Sequence, residues 1–140
     1  MKILVRAVGK MRDRRLESVC QEYVDRARRH LHIAVEEVDG DADLLRNLPV
    51  GAEVVALEPG GAAWTTAEFI KYLDQRMVRG ARAIVFVIGG AEGLTPATVA
   101  ATHRRLSLSP LTLPHRLARV ILCEQIYRAL SSLRGEPYNK

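Results

Sequence analysis

The chain has 140 residues, of which 48% are hydrophobic. This length suits one domain over residues 1–140, and the apolar share is enough for a core and too high for a disordered chain. No run of about 18 apolar residues occurs and the N-terminus lacks the pattern of a secretion signal, so we expect a cytoplasmic protein with no membrane partner. The formal charge of +5 comes mostly from clustered arginines. Because guanidinium groups suit phosphates, a nucleic-acid partner is favoured over a basic surface that is merely solvated.

The first half of the chain alternates apolar, branched runs with helical periodicity. The predicted elements are a strand over Lys2 to Val8, a helix capped by Asp13 and running to about Arg29, a strand over Ile33 to Val38, a polar link over Asp39 to Gly51 with at most a turn or two of helix, and a strand over Glu53 to Leu57. The segment Pro59-Gly60-Gly61 should stop this last strand.

The second half continues the alternation. Thr65 and Glu68 fit a capping box at the start of a helix that Gly80 ends. The later predicted elements are a strand over Ala83 to Ile88, a helix from Pro96 to about Arg105, a short strand over Leu106 to Leu108, and a last helix opened by Pro114. The first of these strands has no polar residue, which is typical of a strand covered on both faces in a parallel sheet. The order predicts an α/β fold with a mostly parallel sheet flanked by helices.

The two cysteines lie far apart in the sequence, on apolar faces of the first and last predicted helices. Cys20 and Cys123 are therefore predicted to be buried free thiols, with a disulfide or redox pair as the less favoured alternative. No cluster of cysteine and histidine has metal-ligand spacing, so we expect no metal.

Two segments end their strands with unusual backbone composition. Gly89-Gly90-Ala91-Glu92-Gly93 follows the buried strand, at the place where open α/β sheets bind ligands. Its spacing matches neither a dinucleotide fingerprint nor a P-loop, so a tight turn and a ligand loop are equally compatible with it. The prolines of Leu108 to Pro114 stiffen a loop that can present main-chain groups to a flat ring, although a plain connection is favoured from the residues alone. Leu57 is a core residue by itself, and would wall a pocket if the three segments meet.

The remaining candidates lie near the ends of the last helix. His115 is in its first turn, where a packing role is favoured over a direct one. Tyr138 is in a polar tail that is equally compatible with a frayed end and with stacking on an unpaired base. The other histidines, His30, His32 and His103, are predicted to be surface residues. No nucleophile triad or carboxylate pair stands out, so chemistry here should depend mainly on positioning two substrates.

As a set, these motifs resemble a known family. The strings IGGAEGLTP, LSLSPLTLPHRLARVILCEQIYRAL and RGEPYNK, with the opening KILVRAVGK, are similar to the bacterial ribosomal RNA large subunit methyltransferase H family over nearly the whole chain. The resemblance implies a SPOUT-class α/β fold with a C-terminal trefoil knot, which connection rules would not predict. It also implies a homodimer that uses S-adenosyl-L-methionine to methylate N3 of a pseudouridine in 23S ribosomal RNA on the assembled ribosome.

The resemblance assigns roles to positions of this sequence. The cofactor would be bound by Leu57, by Gly89 and by the loop residues Leu108, Ser109, Pro110, Leu111, Thr112 and Leu113. Beside these, our own prediction is that Tyr138, with His115 and Arg119, serves the RNA or catalytic side.

The chain departs from the family at two places. Asn139 stands where the family commonly has a histidine, and an amide cannot act as a base near neutral pH. The link over 39–51 is also shorter than usual. Two alternatives stay open: a knotted methyltransferase with another RNA target, and a ribosome-binding module that has lost catalysis.

Overall fold

Strands and helices alternate along residues 1–138, the part of the chain that the computed structural model describes. The elements are β1 Lys2–Val8, α1 Arg14–Ala27, β2 His32–Val38, a 3-10 turn over Asp41–Asp43, β3 Ala52–Ala63, α2 Thr66–Val78, β4 Ala83–Ile88, α3 Pro96–Ala100, β5 Arg104–Ser107 and α4 His115–Leu133. Two predicted caps are confirmed, because the Asp13 side chain accepts hydrogen bonds at the start of α1 and Thr65 and Glu68 form the capping box of α2.

The five strands form one sheet in the order β2-β1-β4-β3-β5. Each neighbouring pair is parallel, which confirms the predicted parallel sheet. The central strand is β4, and all six of its residues are buried. Its lack of polar residues therefore reflects burial on both faces, as the sequence pattern indicated.

The two faces of the sheet are covered differently. On one face, side chains such as Val5 and Phe86 form the main core with the long helices α1, α2 and α4. On the other face, Leu4 and Val85 pack with Leu44 of the short link over 39–51. No helix among residues 1–138 is long and apolar enough to cross a membrane.

The predicted end of β3 at Leu57 is wrong, because the strand continues to Ala63. Leu106 of β5 is in register with Leu57 and again with Ala62, so the residues between them bulge out of the ladder. Gly61 permits this close approach: a Cβ atom there would lie 2.6 Å from the carbonyl carbon of Arg105. The glycines that were expected to stop the strand instead let it bend and pair again.

The helix predicted from Pro96 to about Arg105 is also wrong. It ends at Ala100, and Arg104 to Ser107 form β5, which thus starts and ends before the predicted strand over Leu106 to Leu108. Backbone pairing with β3 decides the boundary, since the His103 N–H donates to the Val54 carbonyl at 2.9 Å. Such long-range pairing leaves no local signal in the sequence.

Candidate active site

The segments that follow β4 and β5 meet the bulged part of β3 at one edge of the sheet. They enclose a pocket of about 710 Å³, which lies within the roughly 300–1,000 Å³ typical of small-molecule sites. Its walls are mainly apolar side chains and loop main chain, with a few polar side chains among them; they come from Leu57 to Pro59, Ile88 to Leu94, Leu106 to Ser109, Leu111 to His115, and Ala118. The position agrees with the general place of ligand sites in parallel α/β sheets, at the carboxyl ends of the strands.

The structure brings together nearly all residues that were predicted to bind a cofactor. Seven of them line this one pocket: Leu57, Gly89, Leu108, Ser109, Leu111, Thr112 and Leu113. Pro110 belongs to the same loop but does not line the pocket. Segments that were individually compatible with plain turns therefore share one site, and their role in binding stays a prediction.

The turn after β4 depends on glycine for its shape. A Cβ atom at Gly89 would lie 2.4 Å from the carbonyl carbon of Gly93, far inside van der Waals contact. The Gly93 N–H donates to the Gly90 carbonyl at 2.9 Å, and Gly93 has a φ of +78°, which glycine adopts without strain. Because any side chain at Gly89 would push on this turn, a substitution there disturbs the loop as well as the pocket.

The loop before α4 is fixed by its own side chains. Ser107 donates its hydroxyl to the Ser109 carbonyl at 2.9 Å, and the Ser109 hydroxyl accepts from the Leu111 N–H at 2.9 Å. Leu111 is 75% exposed at the mouth of the pocket, although it is a large apolar residue. An exposed leucine beside a stiff loop is suited to cover part of a bound ligand.

His115 places a titratable group at the pocket, in the first turn of α4. Burial, followed by the charges of Arg116 and Arg119, lowers the pKa of His115. The imidazole is therefore neutral near neutral pH, and a neutral imidazole keeps one nitrogen that accepts a proton. This position fits a general base better than a cation.

Arg119 is predicted on the RNA or catalytic side, but the structure places its side chain inside the protein. The residue is 2% exposed. Its guanidinium donates to Glu37 Oε2 at 2.6 Å and to the Gly9 carbonyl at 3.0 Å. The same Glu37 oxygen accepts from the Met11 N–H at 2.9 Å. Through these contacts Arg119 connects α4 to β2 and to the loop after β1.

A basic rim adjoins the pocket on this side. We define it as the exposed cations Lys10, Arg12, Arg14 and Arg15 together with Arg116. Arg116 follows the pocket residue His115, and its Nε donates to the Lys10 carbonyl at 3.4 Å. The predicted arginine clusters around 12–15 and 116–119 thus lie close together in space.

Tyr138 lies far from the pocket within the same chain. Its hydroxyl donates to Glu124 Oε2 at 2.8 Å, its ring packs 4.6 Å from that of Tyr127, and the Arg128 guanidinium stands 4.9 Å from the ring centre. Burial and the bond to Glu124 raise the pKa of the Tyr138 hydroxyl. His115 precedes Glu124 by nine positions on α4, about 14 Å at 1.5 Å per residue. Asn139 lies outside the described residues.

Two carboxylates at the pocket were missed from the sequence. Glu58 and Glu92 both line it, and Glu58 Oε1 accepts from Arg105 Nε at 2.6 Å. The position of Glu58 directly after Leu57 was the available signal. One histidine also differs from prediction, because the His30 side chain is only 6% exposed. His103 is exposed as predicted, and it accepts from the Val54 N–H through Nδ1 at 2.9 Å.

Known proteins share both the sequence and the fold. The family model described as "Predicted SPOUT methyltransferase" matches residues 1–139. Ribosomal RNA large subunit methyltransferase H of Sorangium cellulosum is 44% identical, over 99% of each chain. The protein of the same name from Gemmatimonas aurantiaca is 39% identical, over the whole of both chains.

Solved structures with low sequence identity support the fold alone. A probable methyltransferase from Bordetella pertussis matches with a TM-score of 0.57 at 12% identity, over 92% of this chain and 95% of that one. A probable methylase family protein from Haemophilus influenzae also gives a TM-score of 0.57, at 13% identity, over 99% of this chain and 70% of that one. Together with the family model and the full-length relatives, these likenesses show that the chain belongs to the SPOUT methyltransferase family, alongside the proteins named ribosomal RNA large subunit methyltransferase H.

Proposed function

We propose that this protein is an S-adenosyl-L-methionine-dependent methyltransferase that modifies N3 of a pseudouridine in 23S ribosomal RNA, on the ribosome and in the cytoplasm. The observation that carries the proposal is the meeting of three backbone-rich loops at one pocket beside a basic rim. Full-length relatives that carry the name of a ribosomal RNA methyltransferase support the substrate class.

The pocket fits the proposed cofactor in chemistry as well as in size. Leu57, Leu108 and Leu113 offer apolar surface to a flat adenine ring, and the loop main chain offers donors and acceptors to its edge. Glu58 and Glu92 are acceptors for hydroxyl or ammonium groups. When bound, S-adenosyl-L-methionine supplies a methyl group that its sulfonium already activates for transfer.

The residues of the chain then have to hold the acceptor base and remove a proton from its N3 position. Fixing two reactants in line can lower a barrier by roughly 7–11 kcal/mol, so positioning is the largest contribution to ask of this site. Neutral His115 is our candidate for the group that accepts the N3 proton, because it lines the pocket and its pKa is lowered. Arg116, the next residue, would favour negative charge on the nucleobase that loses this proton.

The basic rim is our candidate for the RNA-binding surface. Four of its cations are exposed and Arg116 is half-buried, and the rim lies on the side of the pocket where His115 is found. Contacts of arginine and lysine to phosphates give affinity that falls with salt and carries little sequence information. The target nucleotide would therefore be selected by the pocket and by the shape of the RNA.

We also propose that the protein is a homodimer with the knotted C-terminal connection of its class. The helices α1 and α4 each leave an apolar side chain uncovered: Val19 of α1 is 41% exposed and Leu117 of α4 is 39% exposed. Since Tyr138 lies far from the pocket of its own chain, a direct role for the tail requires the pocket of a second copy. Light scattering of the purified protein measures the oligomeric state.

The decisive experiment is methyl transfer from labelled S-adenosyl-L-methionine to ribosomes that lack the modification, with mass spectrometry of the 23S RNA. The wild-type protein should methylate a pseudouridine at N3, and RNA that carries uridine at that position should be a poorer substrate. A Leu113→Arg variant should lose cofactor affinity, because it places a charge in the pocket. Val78→Arg is the matched control, since Val78 is 79% exposed at the end of α2, outside the pocket.

The two rival functions give different results in the same assay. Methylation at another nucleotide, or of transfer RNA only, would favour a knotted methyltransferase with a different target. Tight ribosome binding without any transfer would favour a binding module that has lost catalysis. In that case, Asn139→His tests whether the missing histidine is the cause, since restored transfer would locate the defect in the tail.

A further inference from the structure

We propose that Cys20 and Cys123 form a reversible dithiol–disulfide site that joins α1 to α4. The sequence predicted two separate buried thiols, and the structure places their sulfur atoms 3.3 Å apart. Both residues are buried, at 5% and 3% exposure, and both are free thiols. They are separated by 103 positions in the chain, so only the packing of the first helix against the last brings them together.

The geometry allows a bond after a small movement. The helices α1 and α4 lie side by side in the same direction, with Arg116 at the Lys10 carbonyl near one end and Arg134 at the His30 carbonyl near the other. The cysteines lie between these two contacts. Because a disulfide has sulfur atoms about 2.05 Å apart, the thiols need to approach by only about 1.3 Å.

The two thiols are not equivalent. The hydrogen bond between the two thiols and the positive charge of Arg119 lower the pKa of Cys20. The shared hydrogen bond and burial raise the pKa of Cys123. We therefore expect Cys20 to react first with an oxidant and Cys123 to act as the resolving thiol.

Hydrogen peroxide is a small two-electron oxidant that can convert this pair to a disulfide. The Cys20 thiolate attacks one peroxide oxygen, the O–O bond breaks, and a sulfenic acid forms as the released hydroxide takes up a proton to become water. The Cys123 sulfur then attacks the Cys20 sulfur, the S–O bond breaks, and a second water leaves. Two thiols have lost two electrons and two protons, and one peroxide has become two waters. A dithiol reductant restores both thiols by exchange.

The bond would hold the helix that carries pocket residues. His115 and Ala118 line the pocket from the first turns of α4, and Cys123 follows on the same helix. Oxidation would therefore fix this helix against α1 and raise the melting temperature of the folded protein. The chemistry needs neither cofactor nor RNA, so its failure would leave the proposed function untouched.

The test is peroxide treatment of the full-length protein, followed by intact-mass and peptide mass spectrometry. We expect a mass loss of about 2 Da within one chain, a Cys20–Cys123 linked peptide, a higher melting temperature, and reversal of all three by dithiothreitol. Linked peptides between two chains, over-oxidation without a link, or two unreacted thiols would each overturn the proposal.

Single substitutions test the order of the two steps. In Cys123→Ser, the Cys20 sulfenic acid has no resolving thiol, so it should accumulate and be trapped by dimedone. In Cys20→Ser, trapping at Cys123 should be at least several-fold weaker. Equal trapping in the two variants would contradict the assigned order, and the link in wild-type protein provides a readout that needs no variant to fold.

Discussion

Replacing Arg119 by methionine removes the guanidinium and keeps the aliphatic stem, so it separates a supporting role for this arginine from a role at the RNA. In the structure the guanidinium is buried and holds Glu37 and the Gly9 carbonyl. If these contacts are its function, the substitution should lower the free energy of unfolding.

The expected loss of stability depends on how well Glu37 and the Gly9 carbonyl are satisfied once the guanidinium is gone. Breaking a buried ion pair costs about 3–5 kcal/mol, and a hydrogen bond to a charged group contributes about 1.5–3 kcal/mol. The Glu37 side chain is 39% exposed and keeps its bond from the Met11 N–H, so water can satisfy part of the orphaned carboxylate. We therefore expect a loss of about 2–4 kcal/mol for Arg119→Met, in the middle of the span that these two figures cover.

Urea unfolding followed by circular dichroism measures this loss, and Arg116→Met is the matched control on the same turn. Arg116 makes one 3.4 Å bond at the protein surface, so its replacement should change the free energy of unfolding by less than about 0.5 kcal/mol. Its ribosome affinity should fall instead, since Arg116 belongs to the basic rim. Unchanged stability in Arg119→Met together with lost ribosome binding would refute the supporting role.

Two further substitutions test the bulge of β3 and the pocket histidine. Gly61→Ala should destabilise by about 2–4 kcal/mol in urea unfolding, because its Cβ atom would lie 2.6 Å from backbone of β5. Gly60→Ala meets only the ends of two side chains, those of Arg105 and Glu58, and should cost less than about 1 kcal/mol. Equal costs for the two substitutions would contradict this account. The pKa of His115 is lower in the folded state than its usual value of 6.5, so below that pH the unfolded chain binds more protons than the folded one. The free energy of unfolding should therefore fall as the pH drops from 7 to 5. His115→Gln should weaken that fall, and an unaltered pH profile of unfolding would show that His115 does not contribute.

Local signals in the sequence predicted the order of the elements well. Helical periodicity and the caps at Asp13 and Thr65 depend on neighbours within a few residues, and the structure confirms them. The wrong element boundaries arose where pairing with a distant strand decides where a strand begins or ends. The continuation of β3 to Ala63 and the early start of β5 both depend on pairing between two strands about 50 residues apart, which no local pattern records.

The pocket shows the same division. The glycine turn after β4 and the proline loop before α4 were visible as separate segments, but their meeting with Leu57 depends on the strand order. Only the resemblance to a family joined them before the structure was known. Arg119 illustrates the reverse case, because an arginine in a basic cluster carries no local sign that its side chain turns inward.

The distribution of arginines narrows what the positive charge of the chain means. Arg6 and Arg119 are buried, and Arg105 holds Glu58 and the Gly60 carbonyl near the pocket. Such guanidiniums serve the fold, because their charge is already satisfied by carboxylates and carbonyls. The net charge therefore overstates the number of cations available to RNA. The exposed cations of the basic rim are both accessible and close to the pocket. Ribosome affinity should accordingly respond to salt with a slope set by these few cations rather than by the total number of arginines.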